Sequence, residues 1–120
     1  MPKQTAYKSL EVYNLAKKLV LASYELTQEL PPEEKTNFCR YIRTAALCVH
    51  FNITRAANEK SKKKKKYIRA TRKALDIIDA GCEIMLEVGL ANKEQVQNLK
   101  NLSFSFYQLL NQPKVLSLYQ

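Results

Sequence analysis

Apolar residues recur at three- and four-residue steps along most of this chain, and this spacing is the strongest constraint on its fold. The first stripe contains Val12, Leu15, Ala16, Leu19, Ala22, Ser23 and Leu26. Residues spaced in this way lie on one face of an α-helix, whereas no useful length alternates with the two-residue period of a strand. The chain has only 2 Gly and 4 Pro in 120 residues, so it also lacks the turn residues that a β-rich fold needs.

The periodicity predicts four helices and a short C-terminal tail. The expected helices cover about residues 7–30, 34–58, 62–88 and 93–111. Pro31-Pro32 ends the first helix, because the residue before a proline is pushed out of helical geometry. Gly89 is predicted to end the third helix in left-handed geometry, and Asn92 with Gln95 to cap the fourth. Short loops between amphipathic helices predict an all-α fold, an antiparallel up-down-up-down four-helix bundle, with the whole chain (1–120) as one domain.

The positive charge of the chain is concentrated in one segment. The sequence has 20 basic and 11 acidic residues, a formal net charge of +9. Nine of the basic residues and none of the acidic ones lie within residues 60–73, so the rest of the chain is neutral. We call these nine the basic segment: Lys60, Lys62, Lys63, Lys64, Lys65, Lys66, Arg69, Arg72 and Lys73.

Helix stability does not explain the basic segment. Consecutive lysines point around most of a helix, at ~100° per residue, and their like charges repel. They also stand at the start of a helix, where the helix dipole disfavours cations. A polyanionic partner explains them, and we expect RNA or DNA phosphates. A solvated, partly disordered loop, an acidic protein surface and an anionic membrane are the alternatives. Tyr67 lies inside the segment, where its spacing favours a core position over base stacking.

The sequence contains no catalytic, cofactor or metal motif, so we expect no enzyme, no cofactor and no metal. His50 has no spaced metal-ligand partner, and a structural or interface role is expected. Cys39, Cys48 and Cys82 are predicted to be reduced, buried small hydrophobes. No apolar segment is long enough to cross a bilayer or to direct secretion. The expected location is therefore cytoplasmic, without a membrane partner.

A row of acidic residues follows the basic segment at three- and four-residue spacing. Its members are Asp76, Asp79, Glu83 and Glu87. Di-metal sites in helical bundles pair a Glu with a His three residues later, and that pairing is missing here. We therefore expect a solvated acidic face, or a partner for Arg40 and Arg43.

Two segments, YKSLEVYNLAKKL and YIRTAALCVHFNI, resemble a known family. The matching positions are Tyr7, Leu10, Val12, Tyr13 and Ala16, then Ile42, Arg43, Ala45, Ala46, Val49, Asn52 and Ile53. They resemble the bacterial four-helix bundle proteins encoded by intervening sequences within 23S ribosomal RNA genes. They are also similar to the accessory variability determinant proteins of diversity-generating retroelements. Two departures stand out: Thr44 replaces a second Arg, and Thr54-Arg55-Ala56 replaces Ala-Glu-Gly.

The resemblance implies a four-helix bundle that assembles as a ring-like homopentamer. The retroelement relatives bind nucleic acid and associate with a reverse transcriptase, which makes both of these expected partners. Arg43 and Asn52 are the polar positions that match the family. We expect them to fix helix or subunit register by hydrogen bonds, with RNA contact as the alternative.

Residues and resemblance together predict a non-enzymatic homo-oligomer that binds nucleic acid, RNA first, through the basic segment. The alternative function is a protein-interaction scaffold, or an accessory subunit for a nucleic-acid enzyme such as a reverse transcriptase.

Overall fold

A computed structural model describes residues 11–112 and shows four α-helices in that range. They are α1 (Glu11–Thr27), α2 (Phe38–Ala57), α3 (Ser61–Glu87) and α4 (Lys93–Leu110). Each helix packs against the next one, and α1 also packs against α4, which closes the bundle. The all-α four-helix fold predicted from periodicity is confirmed. The expected start at 7–10 and the C-terminal tail from 113 lie outside the described residues.

The predicted apolar stripes meet in one core. Each helix contributes a side chain that is completely buried: Leu19 from α1, Val49 from α2, Ile78 from α3 and Phe106 from α4. Small residues let α2 and α3 approach closely. A Cβ atom built on Gly81 lies only 2.5 Å from Cδ1 of Ile42, so a larger residue there forces a shift.

The predicted boundary between α3 and α4 is confirmed. Gly89 has a φ of +79°, the left-handed geometry that favours glycine. The Leu90 N–H donates to the Met85 carbonyl at 2.9 Å, which is the long hydrogen bond of a Schellman motif. Asn92 and Gln95 exchange reciprocal hydrogen bonds of 2.8 Å, which form the expected capping box.

The start of α2 differs from the prediction. A 3₁₀ turn at Pro32–Glu34 precedes it, closed by the Glu34 N–H donating to the Pro31 carbonyl at 2.9 Å, and α2 begins only at Phe38. The interruption lies at Asn37, whose φ of −108° and ψ of −103° are not helical, so the turn that follows the prolines does not continue into α2.

One cysteine prediction is wrong. Cys39 and Cys82 are buried, but Cys48 is exposed on the outside of α2. It lies away from the buried face that contains Val49, and residue type alone did not reveal this. Burial raises the pKa of the Cys82 thiol to about 11, which makes it an unreactive core residue.

Arg43 joins α2 to α1. Its Nε donates to the buried hydroxyl of Thr27 at 2.7 Å, and its guanidinium lies 4.4 Å from the centre of the Tyr24 ring. Of the two alternatives for the acidic row, the exposed face agrees with the structure, and the pairing with Arg43 does not, because Arg43 contacts α1. The amide of Asn52 donates to the Cys48 carbonyl at 2.7 Å, a hydrogen bond that stays within α2.

Candidate nucleic-acid interface

The basic segment forms the N-terminal half of α3. Lys60 occupies the position before the helix, and its carbonyl accepts the N–H of Lys64 at 2.8 Å. The helix is therefore formed from its first turn, in spite of the repulsion between neighbouring lysines. This differs from the alternative of a partly disordered loop.

Most of the cations of the segment project into solvent. The exposed members within α3 are Lys62, Lys63, Lys65, Lys66, Arg69 and Lys73. Across residues 11–112 none of these six forms an ion pair, and the Lys100–Glu83 pair, with 3.9 Å between Nζ and Oε1, lies elsewhere. Lys64 and Arg72 are half-buried.

The core face of α3 explains why the cations point outward. Thr71, Ala74 and Leu75 turn toward the bundle interior and are buried. Lys62 and Lys73 lie on the opposite side of the helix. With a rise of ~1.5 Å per residue, the exposed cations cover about 17 Å of helix length.

Arg72 has a structural contact that the sequence did not reveal. Its Nη2 donates to the carbonyl of Leu110 at 3.2 Å, at the end of α4, where a cation suits the helix dipole. The hydroxyl of Tyr107 shares its one proton between the carboxylate of Asp76 and the Arg72 carbonyl, whose oxygen lies 3.2 Å away. The hydrogen bond to Asp76 raises the pKa of Tyr107 to about 12. Arg72 is therefore partly occupied by packing between α3 and α4.

Arg55 extends the cationic surface onto α2. Its Cζ lies 5.8 Å from the centre of the Tyr67 ring, within cation–π range. Tyr67 itself is half-buried against the core, as its spacing predicted. Sequence reasoning missed Arg55. The short α2–α3 connection was the available signal, because it brings the last turn of one helix beside the first turns of the next.

We call the resulting surface the basic face. It consists of Arg55, Lys62, Lys63, Lys65, Lys66, Arg69 and Lys73.

The C-terminal half of α3 carries the opposite charge. All four members of the acidic row, residues 76–87, are exposed. Cations near the start of a helix and acids near its end both oppose the helix dipole. The outer side of α3 therefore attracts a polyanion at one end of the bundle and repels it at the other.

The remaining candidates do not form a site for a metal. Among residues 11–112 no three His, Cys, Asp or Glu side chains are placed to hold an ion. His50 is half-buried, 5.0 Å from the ring of Tyr13 and 6.1 Å from that of Phe51. Burial, with a smaller contribution from Lys17, lowers its pKa. Within the same range no helix is long and apolar enough to span a membrane.

The model of the 23S rRNA-intervening sequence protein family matches residues 8–112. The chain belongs to this family. The match spans all four helices and confirms the resemblance to the intervening-sequence proteins, whereas the similarity to the retroelement accessory proteins stays a prediction. No curated protein matches the chain.

For this family member, the matched region includes the whole basic segment as well as Arg43 and Asn52. The family name connects the chain to ribosomal RNA genes and thus, in general terms, to RNA.

Proposed function

We propose that this chain is a non-enzymatic, homo-oligomeric four-helix bundle that binds nucleic acid, with RNA expected first. The observation that carries the proposal is the row of exposed cations on α3, which have no ion-pair partner in the described part of the chain. The basic face contacts the phosphate backbone, and release of counterions from the nucleic acid supplies much of the binding free energy.

The position of these cations argues against a purely stabilising role. At the first turns of α3 they oppose the helix dipole and repel one another, at a cost of a few tenths of a kcal/mol for each like-charged pair. Solubility alone needs no such concentration, because charges of both signs spread over a surface achieve it. Phosphate binding gives a reason for placing them together.

The geometry favours contact with phosphates over the reading of bases. Phosphate contacts position a nucleic acid without reading its sequence. The aromatic residue in the basic segment, Tyr67, is half-buried with Arg55 over its ring, and this limits its use as a stacking platform. We therefore expect binding with little sequence preference.

Several copies strengthen this binding. One basic face makes a limited number of contacts, but an oligomer presents the same face once per subunit. Contacts after the first then benefit from a high effective concentration. Family membership, with its link to a ribosomal RNA gene, supports RNA over DNA as the first candidate.

The test compares two variants with equal loss of charge. The first changes four residues of the basic face, Lys62, Lys63, Lys65 and Lys66, to Gln. The matched control changes four other exposed lysines, Lys17, Lys18, Lys35 and Lys93, to Gln. Binding of a fluorescent single-stranded RNA is measured by anisotropy. We expect the first variant to bind roughly tenfold more weakly or worse, and the control to stay close to wild type. Equal weakening of both contradicts a localised interface.

The alternative, a scaffold or accessory subunit for a nucleic-acid enzyme such as a reverse transcriptase, uses the same cations against an acidic protein surface. Affinity purification with and without nuclease separates the two functions. A partner protein that stays bound after nuclease treatment, together with no RNA binding by the purified chain, contradicts the proposed function and favours the scaffold.

A further inference from the structure

Phe51 is an exposed aromatic side chain on the outer side of α2. The residue is 57% exposed, whereas Val49 and Ile53, two residues away on either side, are buried in the core. A single open ring on a protein surface is common and needs no explanation by itself. The surroundings of Phe51, however, differ from those of a scattered surface residue.

Two further rings support Phe51. The His50 ring meets it edge to face, with 6.1 Å between the ring centres and 86° between the planes. Tyr13 of α1 packs against His50 in turn, with 5.0 Å between the ring centres. Aromatic rings attract one another in such tilted and edge-to-face arrangements. The ring of Phe51 is therefore held in place while more than half of the residue stays open to solvent.

The stretch of α2 around Phe51 contains no acidic residue. Residues 44–54 include no Asp, Glu, Lys or Arg. The first charged residue after them is Arg55, an exposed member of the basic face. Residues four apart are neighbours on a helix surface, so Phe51 lies one turn from Arg55 on the same side of α2. An aromatic ring beside cations suits a polyanion that itself carries flat rings.

Phe51 is also level with the basic part of α3. Asn52 and Lys73 line the same depression between α2 and α3, so these two residues lie side by side. Phe51 directly precedes Asn52, which places it within about one helical turn of the level of Lys73. Phe51 is therefore close to two members of the basic face, Arg55 on its own helix and Lys73 on the next.

We propose that the basic face binds RNA as a single strand, and that an unpaired base of this strand stacks on Phe51. The inference rests on the proposed function and specifies the form of nucleic acid that the same surface takes. The axes of packed helices lie roughly 8–10 Å apart. One nucleotide can span such a separation, with its phosphate on Lys73 of α3 and its base on Phe51 of α2.

Stacking on Phe51 requires an unpaired base. The bases of a duplex are paired and stacked on one another, and they reach a protein ring only after they are taken out of the stack. A single strand can turn its bases toward aromatic side chains while its phosphates face cations. Every base has a flat π-face, so this contact agrees with binding that has little sequence preference.

Phe51 suits this contact better than Tyr67 does. Tyr67 is half-buried, and the guanidinium of Arg55 lies over its ring. The alternative occupant of Phe51 is an apolar protein surface. The centre of a protein interface is depleted of charged residues, whereas Phe51 lies beside Arg55 and Lys73. These cations favour a strand of RNA.

The experiment compares wild type with three single variants. Phe51→Leu removes the ring but keeps an apolar side chain, and Phe51→Trp keeps a ring. Leu21→Ala is the matched control, since Leu21 is 60% exposed on α1, outside the basic face. The probe is a labelled oligouridylate of about 12 nucleotides, and binding is measured by anisotropy. We expect Phe51→Leu to bind roughly fivefold more weakly or worse, and the other two variants to stay close to wild type. Equal affinities of Phe51→Leu and wild type overturn the stacking contact.

Two further probes test whether the base is what Phe51 contacts. An abasic strand of the same length keeps the phosphates and lacks the bases, and a duplex of the same length keeps its bases paired. Wild type should prefer the oligouridylate to the abasic strand, and this preference should fall in Phe51→Leu by the same factor as the affinity. The two proteins should bind the duplex equally. A preference that is unchanged in Phe51→Leu contradicts the contact.

Phe51→Trp also provides a direct signal. The chain contains no Trp, so this variant carries a single indole at the proposed stacking position. Stacking of a base on an indole quenches its fluorescence. We expect the oligouridylate to quench the emission and the abasic strand to leave it nearly unchanged. Absence of quenching at saturating oligouridylate overturns the proposal, whether or not Phe51→Leu folds.

The proposals fail in different ways. Stacking adds no phosphate contact, so the slope of log affinity against log salt should be the same for Phe51→Leu and wild type. If the Phe51 variants bind like wild type while the Gln variant of the basic face does not, only the stacking contact is overturned. A wild type that does not bind RNA overturns the proposed function as well. Light scattering gives the mass of each variant, and a changed mass for Phe51→Leu assigns Phe51 to a contact between copies and contradicts stacking.

Discussion

The two halves of α3 share one buried face but have opposite charges outside. The N-terminal half carries exposed cations without ion pairs among the described residues. The C-terminal half carries acids, of which Asp76 and Glu83 contact Tyr107 and Lys100 of α4. Both halves oppose the helix dipole. The buried face thus determines the fold, whereas the outer charges are better explained by what each half contacts.

The largest expected effect tests whether the two halves share one core. Ile78 is completely buried near the middle of α3, so Ile78→Ala leaves a cavity and should lower the free energy of unfolding by about 2–4 kcal/mol. Ile84→Ala is the matched control, because Ile84 on the same helix is 47% exposed, and it should cost less than about 1 kcal/mol. Urea unfolding followed by circular dichroism measures both. Similar losses for the two variants contradict the assignment of the buried face.

A smaller effect is expected at the junction of the halves. Tyr107→Phe removes the hydroxyl that shares its proton between Asp76 and the Arg72 carbonyl. We expect a loss of about 1 kcal/mol at neutral pH, measured by the same urea unfolding. An unchanged free energy of unfolding at neutral pH contradicts a stabilising contact of this hydroxyl between α4 and α3.

The same tyrosine predicts a pH dependence. Folding raises the pKa of Tyr107 from 10.0 to about 12. Because the folded state holds the phenol proton more tightly than the unfolded state, Tyr107 contributes to the free energy of unfolding. This contribution is complete below pH 10 and is lost as the pH rises through 12. Wild type should therefore lose more stability than Tyr107→Phe between pH 9 and pH 11. Equal losses of stability in wild type and Tyr107→Phe over this pH range contradict the raised pKa of Tyr107.

The charges that oppose the dipole provide a still smaller test. Lys63→Glu places an acid in the first turn of α3 and should raise the free energy of unfolding by about 0.3–1 kcal/mol. Thermal unfolding at low salt measures this gain, and the difference from wild type should shrink as salt is added. A destabilised variant contradicts the view that the lysines are unfavourable for the helix.

The smallest expected effect concerns the acidic end. Glu87→Gln removes an acid from the last turn of α3 and should raise stability by a few tenths of a kcal/mol. Glu94→Gln is the opposite control, since Glu94 lies in the first turn of α4, where an acid is favourable, and its loss should lower stability. Shifts of the same sign in the two variants rule out a dipole effect.

Local sequence patterns predicted the elements that depend on local physics. The three- and four-residue spacing that places Ile78 in the core acts within one helix. The left-handed Gly89 and the capping box of Asn92 are likewise set by residues next to them in the chain. Such features need no knowledge of which helices are neighbours.

Features that depend on packing between helices could not be predicted in the same way. The hydrogen bond from Arg43 to Thr27 requires the relative rotation of α1 and α2. The contact of Arg55 with Tyr67 requires the antiparallel pairing of α2 and α3. The exposure of Cys48 follows from helix rotation, and cysteine as a residue type suggested the reverse. For the basic face, the sequence located the charges, and the structure added their orientation and Arg55.

The salt dependence of RNA binding tests the central claim most directly. Anisotropy titrations of a labelled single-stranded RNA, repeated at several salt concentrations, give the slope of log affinity against log salt. With about five to eight phosphates contacted, we predict a slope of about −4 to −6 for wild type. The slope should be less steep by about 3 for the variant with Lys62, Lys63, Lys65 and Lys66 changed to Gln. A flat slope, or equal slopes for the two proteins, contradicts a phosphate-binding basic face.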